Sequence, residues 1–153
     1  MKRLIIVLCL FWFAFIFYMS GKPGEESHQD SVKVVSAISK NENSSISINN
    51  KKIYLDTIAR KNAHAFEYTV LAFLVSASFF SFDKRGRGII IYILFICLFY
   101  AVTDEFHQSF VPGRSSRASD VLIDFGGSII GMLLFYLTYY KLMVKNKSWN
   151  LGF

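Results

Sequence analysis

Four apolar windows, at about residues 4–19, 63–82, 88–103 and 120–140, are nearly free of charge and leave this chain few ways to fold. Twenty residues of helix rise about 30 Å, which is the thickness of a bilayer's hydrocarbon core. The second and fourth windows reach that length unaided, and the first and third reach it with flanking residues. A water-soluble domain of 153 residues, 53% hydrophobic and 17% aromatic, has no interior large enough to hide all four. The bilayer is therefore the expected solvent. The expected fold is an all-α integral membrane protein, a four-helix transmembrane bundle forming a single domain over residues 1–153.

The first window follows Met1, Lys2 and Arg3, as a secretory signal would. Its length, its Phe and Trp content and the lack of an Ala-x-Ala-like site after it favour a retained span. Cys9 and Cys97 both fall inside spans, where they read as packing residues and not as a disulfide. Basic residues near span ends stay on the cytoplasmic side. With the N-terminus inside, the inner segments collect Lys2, Arg3, Lys84, Arg85, Arg87, Lys141, Lys145 and Lys147 against one acid, Asp83. The expected topology is thus multi-pass with both termini cytoplasmic. The net charge of +6 reflects this collar, and no basic stripe suggests nucleic acid.

An outer segment, residues 20–60, follows the first span, with Gly21, Pro23 and Gly24 breaking the helix. Within it Val34, Val35 and Ile38 share one helical face, as in an outer interfacial helix. Asn41–Asn50 reads as a loop rich in Asn and Ser. The whole segment is a spacer or a lid. Asp83 to Gly88 makes a tight hairpin of spans two and three, and Pro112-Gly113 reverses the chain between spans three and four. There is no internal repeat, and no broken helix of the kind that supports alternating access.

Polar residues concentrate at the outer boundary. At 100° per residue, Lys61, His64 and Tyr68 fall on a narrow face of span two with Glu67 beside them. Glu67 lies more than a turn inside its window, where an unpaired charge costs roughly 3 kcal/mol or more, so it needs a partner. Tyr100, Asp104 and His107 share a face at the end of span three, flanked by Glu105 and Gln108. In span four, Arg117, Asp120, Asp124, Gly127 and Gly131 form a stripe, and the Gly127-x-x-x-Gly131 pair lets another backbone approach closely. All three faces share one leaflet under the proposed topology.

Three readings fit this cluster. It is a structural ion-pair network that fixes helix register. Or His64/Glu67 and Asp104/His107 bind a divalent metal such as zinc or manganese, although no full metalloprotease-like signature is present. Or His64 or His107 is a general base tuned by a carboxylate, with Lys61, Arg114 and Arg117 holding a phosphate headgroup. Ser109, Ser115 and Ser116 sit in a turn and lack a nucleophile's context, and His28 reads as a surface residue.

The stretches Arg60-Lys61-Asn62-Ala63-His64-Ala65-Phe66-Glu67-Tyr68, Asp104-Glu105-Phe106-His107-Gln108-Ser109-Phe110-Val111-Pro112-Gly113-Arg114 and Asp120-Val121-Leu122-Ile123-Asp124, with Gly126, Gly127 and Gly131, resemble the VanZ-like family of bacterial membrane proteins. Gly21 to Ser27 is similar to that family's first loop, with Lys22 departing from its pattern. The resemblance covers nearly the whole chain. It implies a bacterial cell-envelope protein, because the founding member of the family confers teicoplanin resistance, and it implies no settled reaction. The family's shared positions map onto Lys61, His64, Glu67, Tyr68, Asp104, Glu105, His107, Gln108, Arg114, Asp120 and Asp124.

The expected function is therefore a cell-membrane protein whose outer-leaflet polar pocket binds or acts on a lipid-linked or anionic headgroup, linked to glycopeptide (teicoplanin) resistance. His64, Glu67, Asp104 and His107 are the catalytic candidates; Lys61, Tyr68, Glu105, Gln108, Arg114, Arg117, Asp120 and Asp124 are the binding candidates. The alternative is a non-catalytic scaffold or interaction module whose charges are structural.

Overall fold

The computed structural model describes residues 2–24, 48–114 and 116–149, with the helix positions 48–57 and 143–149 described as backbone alone. Those residues form four helices: α1 (Lys2–Ser20), α2 (Ile48–Ser81), α3 (Arg87–Gln108) and α4 (Ala118–Trp149). Each is long and apolar enough to cross a membrane, and the helices form a helical membrane bundle. Phe11, Ile91, Phe95, Leu133 and Leu137 all project outward. In water such a surface would be costly, whereas acyl chains solvate it.

α2 starts well before its apolar window, so Ile48, Asn49 and Asn50 are helical where the sequence suggested a loop. Val34, Val35 and Ile38, the expected interfacial helix, lie outside the described residues. α3 also runs past its window, to Gln108, which places Asp104, Glu105 and His107 in its last two turns.

The helices run up, down, up and down. Lys2 at the start of α1 lies 3.8 Å from Asp83 in the α2–α3 turn, and Ser20 at its other end bonds Asp104 near the end of α3. α2 packs most extensively on α4, and α1 lies against α2 and α3 without touching α4 among the described residues. The reason for the tight α2–α4 seam is glycine. A Cβ on Gly127 would run into the carbonyl of Ala65, and one on Gly131 into that of Thr69. Matched four-residue steps on both helices make the seam parallel. Thr69 Oγ1 reinforces it by donating to the Gly127 carbonyl at 3.0 Å. Across the bundle, Trp12 Nε1 donates to the Glu67 carbonyl at 2.9 Å and Tyr100 OH to that of Phe13 at 2.6 Å.

Cys9, Ile16, Tyr68, Leu71, Ile93 and Cys97 fill the middle, both cysteines as free thiols. Phe80 contacts Phe135, Tyr136 and Tyr139 edge-on toward one end, with Arg85 over Phe80 and Tyr139. That aromatic plug and the Asp83 turn close one end. The polar residues gather at the other.

Tyr100→Phe removes one interhelical hydrogen bond and leaves the ring packing against Phe13. It is expected to destabilise the detergent-solubilised protein by about 0.5–1.5 kcal/mol, measured by reversible unfolding, with no change in any binding property.

Candidate functional site

The polar end is built on the last turns of α1 and α3, the middle of α2 and the first turns of α4. Its frame is a meeting of two distant turns. α1 stops at Ser20 because Gly21 and Pro23 follow, and the Gly24 N–H then donates to the Pro112 carbonyl at 3.0 Å. A Cβ at Gly24 would overlap the carbonyl of Gly113, which itself has φ 76°. Glycine is required at both positions. Arg114 locks this junction: Nε donates to the Lys22 carbonyl at 3.2 Å, Nη2 to that of Met19 at 3.3 Å, and Nη1 to Gln108 Oε1 at 3.3 Å. Burial, and next the neighbouring Arg60 guanidinium, lower the Arg114 pKa from its ordinary value.

Below Arg114 lies Asp104, 2% exposed. Its Oδ2 accepts from Ser20 Oγ at 2.8 Å and from Gln108 Nε2 at 3.1 Å. Glu105, also buried, accepts the Arg117 backbone N–H through Oε1. Arg117 stands just before α4 and is not part of the helical stripe, which begins at Asp120; its carbonyl takes the Asp120 N–H at 2.9 Å.

A cavity of about 220 Å³ opens between α2, α3 and α4. Arg60, Lys61, Arg114 and Arg117 contribute to its wall together with Glu105, Asp120 and Asp124; His64 and Gln108 also line it. Lys61 Nζ sits 3.3 Å from Asp120 Oδ1, and these side chains are 39% and 30% exposed, so the cavity reaches the surface. Deeper, His64 Nδ1 lies 3.4 Å from Glu67 Oε2. The His64, Asp104 and Asp124 donor atoms come within 4.8 Å of one another.

Not all of the candidates share this space. Glu67, Tyr68 and Asp104 lie behind the lining, Tyr68 with no exposed surface. His107 faces α1 instead, its ring stacked on Phe17 with centroids 4.3 Å apart. The metal-capable grouping also differs from the helical pairs read in the sequence: it joins His64 to Asp104 and Asp124 across three helices, leaving out His107. Ser20 was not anticipated, since a serine at a span end carries no distinguishing pattern. Gly24 is legible as a helix breaker and as part of the first-loop resemblance, but not as a contact of Gly113.

Such an arrangement can hold an anion between bases, position a proton donor or acceptor at His64, or coordinate a cation through His64 and the two aspartates. Residues 5–139 match a family model described as VanZ/LLP1. No curated protein and no solved structure matches the chain.

Proposed function

This multi-pass membrane chain belongs to the VanZ/LLP1 family, and from that premise we propose that it works in the bacterial cell membrane, both termini cytoplasmic, by engaging the phosphate headgroup of a lipid-linked envelope component. The polar end then faces the outer leaflet. The supporting observation is the surface-reaching cavity walled by Arg60, Lys61, Arg114 and Arg117 at the end of four apolar helices. A phosphate carries several acceptor oxygens, and guanidinium groups donate to it in a planar fork. A headgroup at this depth keeps its acyl chains against the exposed aliphatic and aromatic faces. In this reading teicoplanin resistance in the family is a consequence of occupying or altering such a headgroup. His64, with Glu67 at Nδ1, is the group placed to move a proton if the bound molecule is also transformed.

The test uses the full chain in nanodiscs of phosphatidylcholine doped with phosphatidic acid as the phosphate probe. Lys61→Ala and Arg117→Ala should each weaken the protein's preference for the doped lipid by about 10-fold, as loss of one charge-assisted contact does. Lys84→Ala, at the opposite end, should not. Equal binding by all variants and wild type overturns the proposal. In cells, His64→Ala and Glu67→Ala should lose any glycopeptide phenotype while keeping their membrane abundance.

A second reading is favoured by Arg114, whose guanidinium is directed at Gln108 and two carbonyls and so ties α1 to the α3–α4 turn. There the cluster is a scaffold for an interaction surface. Its signature is loss of abundance in the His64 and Glu67 variants in step with any loss of phenotype.

A further inference from the structure

His64 of α2, Asp104 of α3 and Asp124 of α4 each offer a donor atom within 4.8 Å of the other two. Asp104 and Asp124 are both 2% exposed, and Oδ1 of each is buried without a hydrogen-bond partner. Glu67 Oε2 is likewise buried and without a hydrogen bond, 3.4 Å from His64 Nδ1. Carboxylates this close and this dry cannot both stay ionised unless positive charge lies between them. Among the described residues, no lysine or arginine forms an ion pair with Asp104 or Asp124: Lys61 is on Asp120, and Arg114 reaches Gln108 and backbone carbonyls. Protonating the imidazole would supply one charge against three acids. A divalent cation supplies two where the donor atoms of His64, Asp104 and Asp124 come together.

We propose that His64, Asp104 and Asp124 bind a divalent transition-metal ion, with zinc the best match to one imidazole and two carboxylates. Glu67, at Nδ1, holds the ring so that Nε2 faces the metal, the usual carboxylate–histidine arrangement around such ions. Three protein ligands leave a fourth position open, as in zinc sites that take water or substrate. His64 and Asp124 also line the cavity, so that position faces it. The ion adds to a lining of four bases and three acids, making the cavity more attractive to an anion. The site goes beyond the headgroup reading and does not depend on it.

The test is made on the full-length protein in detergent, stripped with chelator, reloaded with zinc and freed of unbound metal. Elemental analysis should find about one zinc per chain, and X-ray absorption should show an all-nitrogen-and-oxygen shell containing imidazole. Glu67→Gln should weaken binding by about 10–100-fold, and His64→Gln and Asp124→Asn by at least as much. Asp83→Asn, at the opposite end, should bind as wild type does. Should the ligand variants fail to fold, wild type alone decides: zinc must raise its melting temperature after stripping. Substoichiometric zinc in wild type, or unaltered binding by the ligand variants, overturns the proposal. Zinc binding without phosphate preference removes only the headgroup reading, and phosphate preference without zinc removes only this one.

Discussion

Gly131→Ala is expected to remove most of the folded protein from the membrane, and Gly127→Ala to do nearly the same. At each position the new methyl group would collide with a backbone carbonyl of α2, that of Thr69 or of Ala65. A side chain could rotate away; a carbonyl inside a helix cannot do so without moving the helix. Overpacking typically costs about 1–3 kcal/mol, and a backbone collision belongs at or beyond the upper end. There is also a secondary loss. α2 and α4 gain no hydrophobic attraction from each other in lipid, so close contact and the Thr69–Gly127 hydrogen bond hold them together. Separating them also draws His64 away from Asp124. Gly126→Ala is the control, because a Cβ there meets nothing within 4 Å. Abundance in membrane fractions and melting in detergent should therefore fall for the two seam variants and hold for Gly126→Ala. Retention of normal abundance by Gly131→Ala would contradict the seam.

The seam was readable from spacing because helical periodicity in a membrane is set by two simple demands: apolar residues toward lipid, small ones where backbones touch. The same periodicity put the faces bearing Lys61, His64, Asp120 and Asp124 in one leaflet, and the structure puts Lys61 on Asp120 and His64 near Asp124. What periodicity does not encode is azimuth between helices. Asp104 and His107 lie near one face of α3, and so does Tyr100; that face looks toward α1, where His107 stacks on Phe17. Only Asp104 sits deep enough to reach both Ser20 and the group around His64. The contact of Gly24 with Pro112 and Gly113 joins two turns far apart in sequence. Each turn announces itself, and nothing local says that they touch. Arg117 was misplaced because spacing alone cannot tell the last loop residue from the first helical one.

Substitutions at Asp104 should separate support from chemistry. Asp104→Ala deletes the acceptor of both Ser20 Oγ and Gln108 Nε2; the amide keeps Ser20 Oγ as an acceptor at 3.3 Å, whereas the buried Ser20 hydroxyl loses its partner. An orphaned buried donor costs about 1–3 kcal/mol, so this variant should loosen the docking of α1 and lose stability. Asp104→Asn is the sharper change. Its amide oxygen can keep both bonds, while its amino group takes the place of Oδ1, the oxygen that has no partner inside the protein. The fold should then persist, with a melting temperature near that of wild type, while zinc retention and phosphate preference fall. Ser20→Ala removes one of the two bonds to Oδ2 and should lie between wild type and Asp104→Ala in stability, with ligand properties intact. If Asp104→Asn instead matched wild type in metal content, lipid preference and phenotype, the carboxylate would serve only to pin α1 to α3. The unpaired Oδ1 of Asp104 would then need no ligand to explain it.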